Sequence, residues 1–413
     1  MKRLISLGII ILFILIAGCE KQPPTAVDST NPTVQNQDTK NLKFDAAKMQ
    51  KLMEAKLAKL KEMVKQQPES YHPKSLAKTT SGPINVPGDY STIQEAVDAA
   101  ADGAVINVTG SYTEDVVISG SNNITINGGG QATLTSNHVG FNIINYGYGL
   151  INHRGYGITG DVKGLTIKGF KIIGGIVINS SQYVTIKDND ISGPADCDGI
   201  DVFYGDANTI SSNVVHNNSG NTGTADGIVL YHTNHNTVVD NQCYSNHDAG
   251  ACGINEYYGV ANEIKNNVVQ DNTWGIQLYR SSYDNIADCK ASSNTLAGIY
   301  LWFSNNNSVK SCETFQNDYG IILQNSAFIQ INDANSHNNN DSGIDLYGSN
   351  SNTITGSKAD NNLIEGGMYF DSHTNNNTIK DCEASGNGSC DVHDFGYNNI
   401  FTNCHFGSFN CTP

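Results

Sequence analysis

A glycine followed by an aliphatic residue recurs along more than half of this chain. The pairs are Gly175 and Ile176, Gly199 and Ile200, Gly227 and Ile228, Gly253 and Ile254, Gly275 and Ile276, Gly298 and Ile299, Gly320 and Ile321, Gly343 and Ile344, and Gly367 and Met368. Successive glycines lie 24, 28, 26, 22, 23, 22, 23 and 24 residues apart. A second anchor, Asn then a small residue then Ile or Val, follows in most units, as at Asn208 to Ile210, Asn236 to Val238 and Asn377 to Ile379. A third is a polar cluster closing on Asn294 or Asn317. A repeat of this length specifies a solenoid.

The unit specifies which solenoid. Each holds short runs with apolar residues at period two, such as Gly298, Ile299, Tyr300, Leu301, Trp302, and none holds a ten-residue helical pattern. Leucine-rich and helical repeats are thereby excluded. Short strands separated by Asn, Gly and Ser turns predict an all-β parallel β-helix, in which equivalent residues stack about 4.8 Å apart. One stack is Asn189, Asn213, Asn241, Asn267, Cys289, Cys312, Ala334, Ser357, Cys382 and Cys404. Small amide and thiol side chains at a tight bend account for that ladder without a function.

Before the repeats the chain reads as a series of unlike segments. Residues 1–18 have Lys2 and Arg3, an apolar run too short to span a bilayer, and Ile16, Ala17 and Gly18 before Cys19. The last four resemble the bacterial lipobox, which implies a lipidated Cys19 and an extracytoplasmic protein anchored on a bacterial membrane, in the periplasm or at the cell surface. Residues 19–40 read as a flexible tether. Residues 41–67 read as an amphipathic spacer helix. Met49, Leu52, Met53, Leu57, Leu60, Met63 and Val64 lie on one side, with Lys43, Lys48, Lys51, Lys56, Lys59, Lys61 and Lys65 around them. Such a helix suits an anionic surface or a partner helix. Residues 68–82 are a linker, and 83–413 the β-helix domain. Its first helix, from Thr92 to Ala101 with Ser91 as N-cap and Gln94 three residues on, is the expected cap over the raw apolar end of the first coil.

That cap sequence, Val86 to Ala100, and the stretch Gly110 to Glu114 resemble the start of right-handed parallel β-helices of the pectin lyase superfamily, and with the repeats the resemblance extends over 84–411. The chain is also similar to surface and periplasmic β-helix repeat proteins, among them the NosD-like group. The superfamily includes lyases, hydrolases, esterases, epimerases and members without catalysis, so the resemblance implies a fold and leaves activity to the site.

Charge narrows the partners. Of the 24 Lys and Arg, 13 precede residue 81, and of the 40 Asp and Glu, 7 do; the remainder is 11 − 33, or −22. Nucleic acid is excluded, since phosphates need a basic surface. A polyuronate would be repelled unless calcium bridged the two sets of carboxylates, whereas a neutral glycan would not. Ten cysteines less Cys19 leave nine, so at least one thiol stays free in a monomer. Cys390 with Cys411 and Cys243 with Cys252 are candidate disulfides.

Two features carry the functional expectation. Alternation from the Gly-Ile anchor places Phe203, Tyr231, Tyr257, Tyr279 and Trp302 in one outward column, read as a wet platform for stacked sugar rings. The longer repeats hold Asp196, Asp198, Asp201 and Asp226, with Asp198 and Asp226 each just before an anchor glycine and so one coil apart. Carboxylates this close raise one pKa or bind a cation. The cluster suits acid–base cleavage of a glycosidic bond, or calcium held by Asp196, Asp198 and Asp201 while a base removes a uronate proton. Arg280, beside Tyr279, and Glu256, on an inward position between Leu230 and Leu278, join the catalytic candidates. Residues Cys197 to Asp201 resemble the Asn-Thr-Asp-Gly motif of polygalacturonases, with Asp226 matching one Asp of their Asp-Asp pair. Ala225 replaces the other, and Cys252 and Gly253 stand where Gly-His-Gly would. The expectation is a lipid-anchored monomer that binds and cleaves a polysaccharide. The alternatives are a glycan-binding or scaffold protein without catalysis, and a NosD-like periplasmic accessory whose copper ligands would come from His232, His235 and His247.

Overall fold

The computed structural model describes residues 82–411 apart from 119, 121, 145–161, 194–197, 220–224 and 249. Residues 1–81, with the lipobox, tether, spacer helix and nearly all of the linker, lie outside the described residues, as does Asp196. No helix among the described residues is long and apolar enough to cross a membrane.

The chain winds into a right-handed parallel β-helix of about 13 coils. Among the described residues thirty-five strands, most of them short, form one continuous parallel sheet wrapped around a bore. In the repeats each coil contributes three strands. Ile228–Tyr231, Thr237–Val239 and Gln242–Tyr244 make one coil; Cys252–Tyr257, Glu263–Lys265 and Val268–Gln270 make the next. Each strand pairs in register with its equivalent one coil on, so that Ile228 lies against Ile254, and Ile254 against Ile276. The inward rows are fully buried aliphatics: Ile200, Ile228, Ile254, Ile276, Ile299, Ile321 and Ile344, with Leu230, Leu278, Leu301, Leu323 and Leu346 two positions on.

The bends are held by side-chain ladders. Asn189 Nδ2 donates to Asn213 Oδ1 at 3.0 Å, Asn213 to Asn241 at 3.0 Å, and Asn241 to Asn267 at 3.1 Å, after which Cys289 takes the position. The Asn of the second anchor forms another ladder, with Asn236 Nδ2 on Asn262 Oδ1 at 3.0 Å, and that of the third a further one, with Asn294 Nδ2 on Asn317 Oδ1 at 3.0 Å. Amide side chains satisfy buried backbone groups that the turns leave without sheet partners.

The cap helix spans Ile93–Ala99 and buries Ile93, Ala96 and Val97. Its N-cap is Thr92, whose hydroxyl accepts from Glu95 N, rather than Ser91; Ser91 Oγ instead bonds the Glu95 carboxylate at 2.7 Å. Glu114 reaches back and accepts from Ile93 N and Gln94 N at 2.9 and 3.1 Å, a favourable position for an anion at a helix start. At the other end Cys390 and Cys411 form a disulfide. Cys243 and Cys252 do not pair with each other, because Cys243 packs in the bore and Cys252 in a separate cluster on the outer side of its strand.

Candidate functional site

The site is built on the first strand of each coil, on the side facing away from the bore. Three outward columns run along it. One contains Asp198, Asp226, Cys252, Trp274, Ala297 and Tyr319. The next contains Asp201, Val229, Asn255, Gln277, Tyr300, Ile322 and Asp345. The third is the expected aromatic column, and its register holds: Phe203, Tyr231, Tyr257, Tyr279 and Trp302 stack in consecutive coils.

Their environment is the reverse of the one expected. Phe203, Tyr257, Tyr279 and Trp302 are buried, and Tyr231 half-buried. Tyr257, Tyr279 and Trp302 join Trp274, Tyr300, Tyr319, Ile322, Val229 and Cys252 in a second apolar cluster separate from the bore; Tyr231 packs against it, and Phe203 lies 5.9 Å from Tyr231. Trp274 stacks on Tyr300 at 4.9 Å, and Tyr279 packs against Trp302 at 5.1 Å. The two indole N–H groups are buried without hydrogen bonds. Rings packed this way face one another, unlike the wet column expected of a sugar platform. Trp274, Tyr300 and Tyr319 escaped notice in the sequence because their columns alternate with small and polar residues such as Ala297, Asn255 and Gln277.

The exposed aromatic edge lies one residue further along each strand. Tyr204, His232 and Tyr258 hold left-handed backbone conformations at the turn, with φ of 52°, 51° and 56°. Their rings form a ladder, with centroids 5.4 Å apart for Tyr204 and His232 and 4.6 Å for His232 and Tyr258. Arg280 continues the ladder, its guanidinium 5.3 Å from the Tyr279 ring and 5.8 Å from that of Phe303. The stacking spends the ring faces on each other and leaves edges for solvent.

At the N-terminal end of this face three carboxyls converge. Asp226 N donates to Asp198 Oδ1 at 2.6 Å across one coil. Asp226 repeats the pattern: its Oδ1 accepts from Cys252 N at 2.6 Å, and its Oδ2 from Asn255 Nδ2 at 2.8 Å. Asp201 stands beside both, and burial, then the charges of Asp198 and Asp226, push its carboxyl well above the usual range. It is therefore the neutral member, hydrogen-bonded to Asp198, with Oδ1 left over. All three are buried, at 3–4% exposure. The triad can hold and move one proton among its members.

Two other catalytic candidates do not reach the triad. Arg280 is two coils further along and at the opposite end of the strand, about 20 Å away by strand and coil spacings. Glu256 is buried inside the bore, where it lies in register with Leu230 and Leu278 as expected, and the sheet separates it from the outward acids. Its partner is Asp284, which occupies a rung of the Asn ladder between Asn262 and Asn307. Burial and the Asp284 charge raise the Glu256 carboxyl, and burial raises Asp284 to about 6, so the two share a proton. Asp284 looked like any ladder residue in the sequence; only a facing acid distinguishes it.

Against known proteins, a family model described as periplasmic copper-binding protein (NosD) matches residues 155–311 and 293–411, well over half of the chain. No curated protein matches. Among solved structures, the A-module of the Azotobacter vinelandii mannuronan C-5 epimerase AlgE6 superposes with a TM-score of 0.52 at 18% identity, covering 76% of this chain and 93% of that one. The catalytic unit of a GH87 α-1,3-glucanase from Streptomyces thermodiastaticus gives 0.51 at 16% identity, covering 80% of this chain and 67% of that one. At such identities the likeness is one of fold. The donors that copper favours are thiolate, thioether and imidazole, and those here do not fit a centre. His232 is stacked between two tyrosines and His235 pairs with Asp206 at 3.0 Å. Cys289, Cys312 and Cys382 point into the bore, and no three His, Cys, Asp or Glu side chains among the described residues are arranged to hold a metal.

Proposed function

The chain belongs to the NosD family of parallel β-helix proteins, and on that premise we propose that it is an extracytoplasmic protein, lipid-anchored through Cys19, that acts on a polysaccharide through Asp198, Asp201 and Asp226. The observation that carries this reading is the triad itself: three carboxyls on adjacent coils of one outward face, one of them neutral and two held by amide donors. Cleavage of a glycosidic bond asks for one proton donor and one acceptor at close quarters. In this reading Asp201 gives its proton to the leaving glycosidic oxygen as the bond breaks, and Asp226 takes a proton from the attacking water. Asp201 Oδ1 is buried and has no hydrogen-bond partner within the fold. Calcium held by Asp196, Asp198 and Asp201 is the alternative chemistry at the same place, and would suit a uronate chain.

A second reading is favoured by a specific observation. The triad is buried and its oxygens accept backbone N–H groups of the next coil, as capping aspartates do. On that reading the protein is a glycan-binding or surface-scaffold β-helix without catalysis.

The test is a screen of the intact chain on neutral and uronate polysaccharides, with and without calcium, reading reducing ends and unsaturated uronate. Reducing ends lost in Asp201→Asn, with the fold retained, support the triad as a hydrolase. Calcium-dependent ultraviolet absorbance supports the uronate chemistry. Neither product on any substrate, with glycan retention intact, overturns cleavage in favour of the binding protein.

A further inference from the structure

The turn after the first strand of each coil presents a row of residues whose size alternates from coil to coil. Gln182, Asp206, Asn234, Val260, Ser282, Asn305 and Ala327 are bridged in succession, so they stack one coil apart. The residue after each forms the row. Tyr183, His235, Tyr283 and Phe328 fall on every second coil, with Ala207, Ala261 and Asn306 on the coils between. Successive rings therefore stand about 9.6 Å apart, or two inter-strand spacings, and span about 29 Å from Tyr183 to Phe328.

All four rings are in the open. Tyr183, Tyr283 and Phe328 are 58%, 65% and 59% exposed, and the His235 side chain 68%. Burial in the fold does not account for them. Backbone preference does not either, since the row is left-handed, with φ of 56°, 52°, 62° and 58° at the four rings. Bulky residues avoid that conformation and Asn tolerates it. Asn306, Asn376 and Asn398 hold the same place in other coils, at φ of 60°, 59° and 60°. Rings kept at an unfavourable, solvent-facing position answer to something outside the chain.

Spacing identifies what that is. Three residues earlier in the turn, Tyr204, His232 and Tyr258 occupy consecutive coils, and their centroids lie 5.4 and 4.6 Å apart, so the rings cover one another. Rings two coils apart cannot touch, and each keeps a face of its own. A flat apolar partner would want the gaps filled, and Ala207, Ala261 and Asn306 leave them empty. A chain of pyranose rings fits, because two coils advance by close to one disaccharide of an extended β-1,4-linked glycan. Every second sugar then meets an aromatic face.

The flanks supply the polar half of such a site. Asn234, Ser282 and Asn305 lie on one side and Thr209, Asn285 and Ser308 on the other, all at least partly exposed. Their amides and hydroxyls match the hydroxyls of a sugar. The domain is at 11 − 33, or −22, yet over seven coils these flanking rows hold only two acids, Asp206 and Glu263. Asp206 is paired with His235 at 3.0 Å. A strip this close to neutral on an acidic surface suits an uncharged glycan and not a basic partner.

We propose that this row binds an extended β-1,4-linked polysaccharide of neutral sugars, its axis along the solenoid and one disaccharide to every two coils. Tyr183, His235, Tyr283 and Phe328 each stack on one sugar. The site is separate from the carboxyl triad and does not need it.

The test is retention of the intact chain on insoluble β-1,4-glucan and on chitin, read as bound fraction against protein concentration. Y183N/Y283N/F328N puts at each position the residue that Asn306 already shows to fit there. Its thermal midpoint should match wild type while its affinity falls on the order of 10- to 100-fold. A second variant, Y283N/N306Y, keeps the number of rings but moves one by a coil, and should bind as weakly as Y283N alone. Wild-type affinity in the triple variant overturns the proposal, and wild-type affinity in the shifted variant overturns the spacing on which it stands. A wild type that neither polysaccharide retains overturns it as well. A wild type that sediments as a dimer, with the triple variant a monomer, overturns it in favour of a second copy on the row. Retention and not product is read, so D201N should bind as wild type does, and a failure of the triad leaves this site untouched.

Discussion

Asp198 Oδ1 accepts the backbone N–H of Asp226 at 2.6 Å, and Asp226 Oδ1 accepts that of Cys252 at the same distance, so one capping geometry climbs two coils. The ladder gives each aspartate a structural task whatever its chemistry. Removing the Asp226 carboxylate leaves the buried Cys252 N–H without its acceptor and takes from Asn255 Nδ2 one of two, the other being the Tyr257 hydroxyl. Asp226→Ala should therefore cost about 2–4 kcal/mol, and Asp226→Asn distinctly less, because its amide oxygen still accepts from Cys252. Denaturant midpoints of the two variants check this. Equal midpoints would show that the carboxylate holds nothing together.

Inside the bore the Glu256 and Asp284 pair makes stability depend on pH in a predictable direction. The folded chain keeps the Asp284 proton up to about 6, against an ordinary value of 3.8. Its stabilising effect is complete below about 3.8 and is lost as pH rises to about 6. Asp284→Asn restores the amide that Asn236, Asn262 and Asn307 supply on neighbouring rungs. The variant should be more stable than wild type at neutral pH by about 1–3 kcal/mol, and the gap should close by pH 4. Thermal melts across that range decide it; a gap that does not vary with pH would remove the shared proton.

How far the chain could be read in advance follows from what repeats. Ile228, Leu230 and Cys289 could be assigned to the bore because a solenoid imposes one local geometry on every coil, and period plus parity locate a residue completely. The same arithmetic put Phe203, Tyr231, Tyr257, Tyr279 and Trp302 in one outward column and brought Asp198 to Asp226. It failed on exposure. Whether Tyr257 is wet depends on what lies over the sheet, which no period within the repeat encodes. It also failed on reach: Arg280 is adjacent to Tyr279 in sequence, yet a strand's length separates it from the acids. Asp284 was invisible because an acid on an amide ladder matters only through Glu256 facing it.

At the C-terminal end the Cys390 and Cys411 link closes a loop with a sequence separation of 21. Loop-closure entropy for that size is worth about 3 kcal/mol. In a solenoid each coil touches only its neighbours, so the loss stays local. Reduction should open amide exchange in residues 390–411 while the coils around Ile254 remain protected. Exchange that rises uniformly along the solenoid would contradict local coupling.

The anchor glycines that reveal the fold also leave no room for a side chain. A Cβ on Gly275 would stand 2.2 Å from Gly298 O, 3.0 Å from Asn294 Nδ2 and 3.1 Å from Ala291 Cβ. Backbone in the next coil cannot yield without breaking register, and the same contact recurs at Gly227, Gly298 and Gly343. Gly275→Ala should therefore destabilise by about 1–3 kcal/mol or more through overpacking alone. Gly82, where an added methyl carbon would meet nothing within 4 Å, is the control: Gly82→Ala should leave the denaturant midpoint where it is. A neutral Gly275→Ala would mean that the coils can part by several tenths of an ångström at no cost, and that the glycine column records turn geometry rather than close packing.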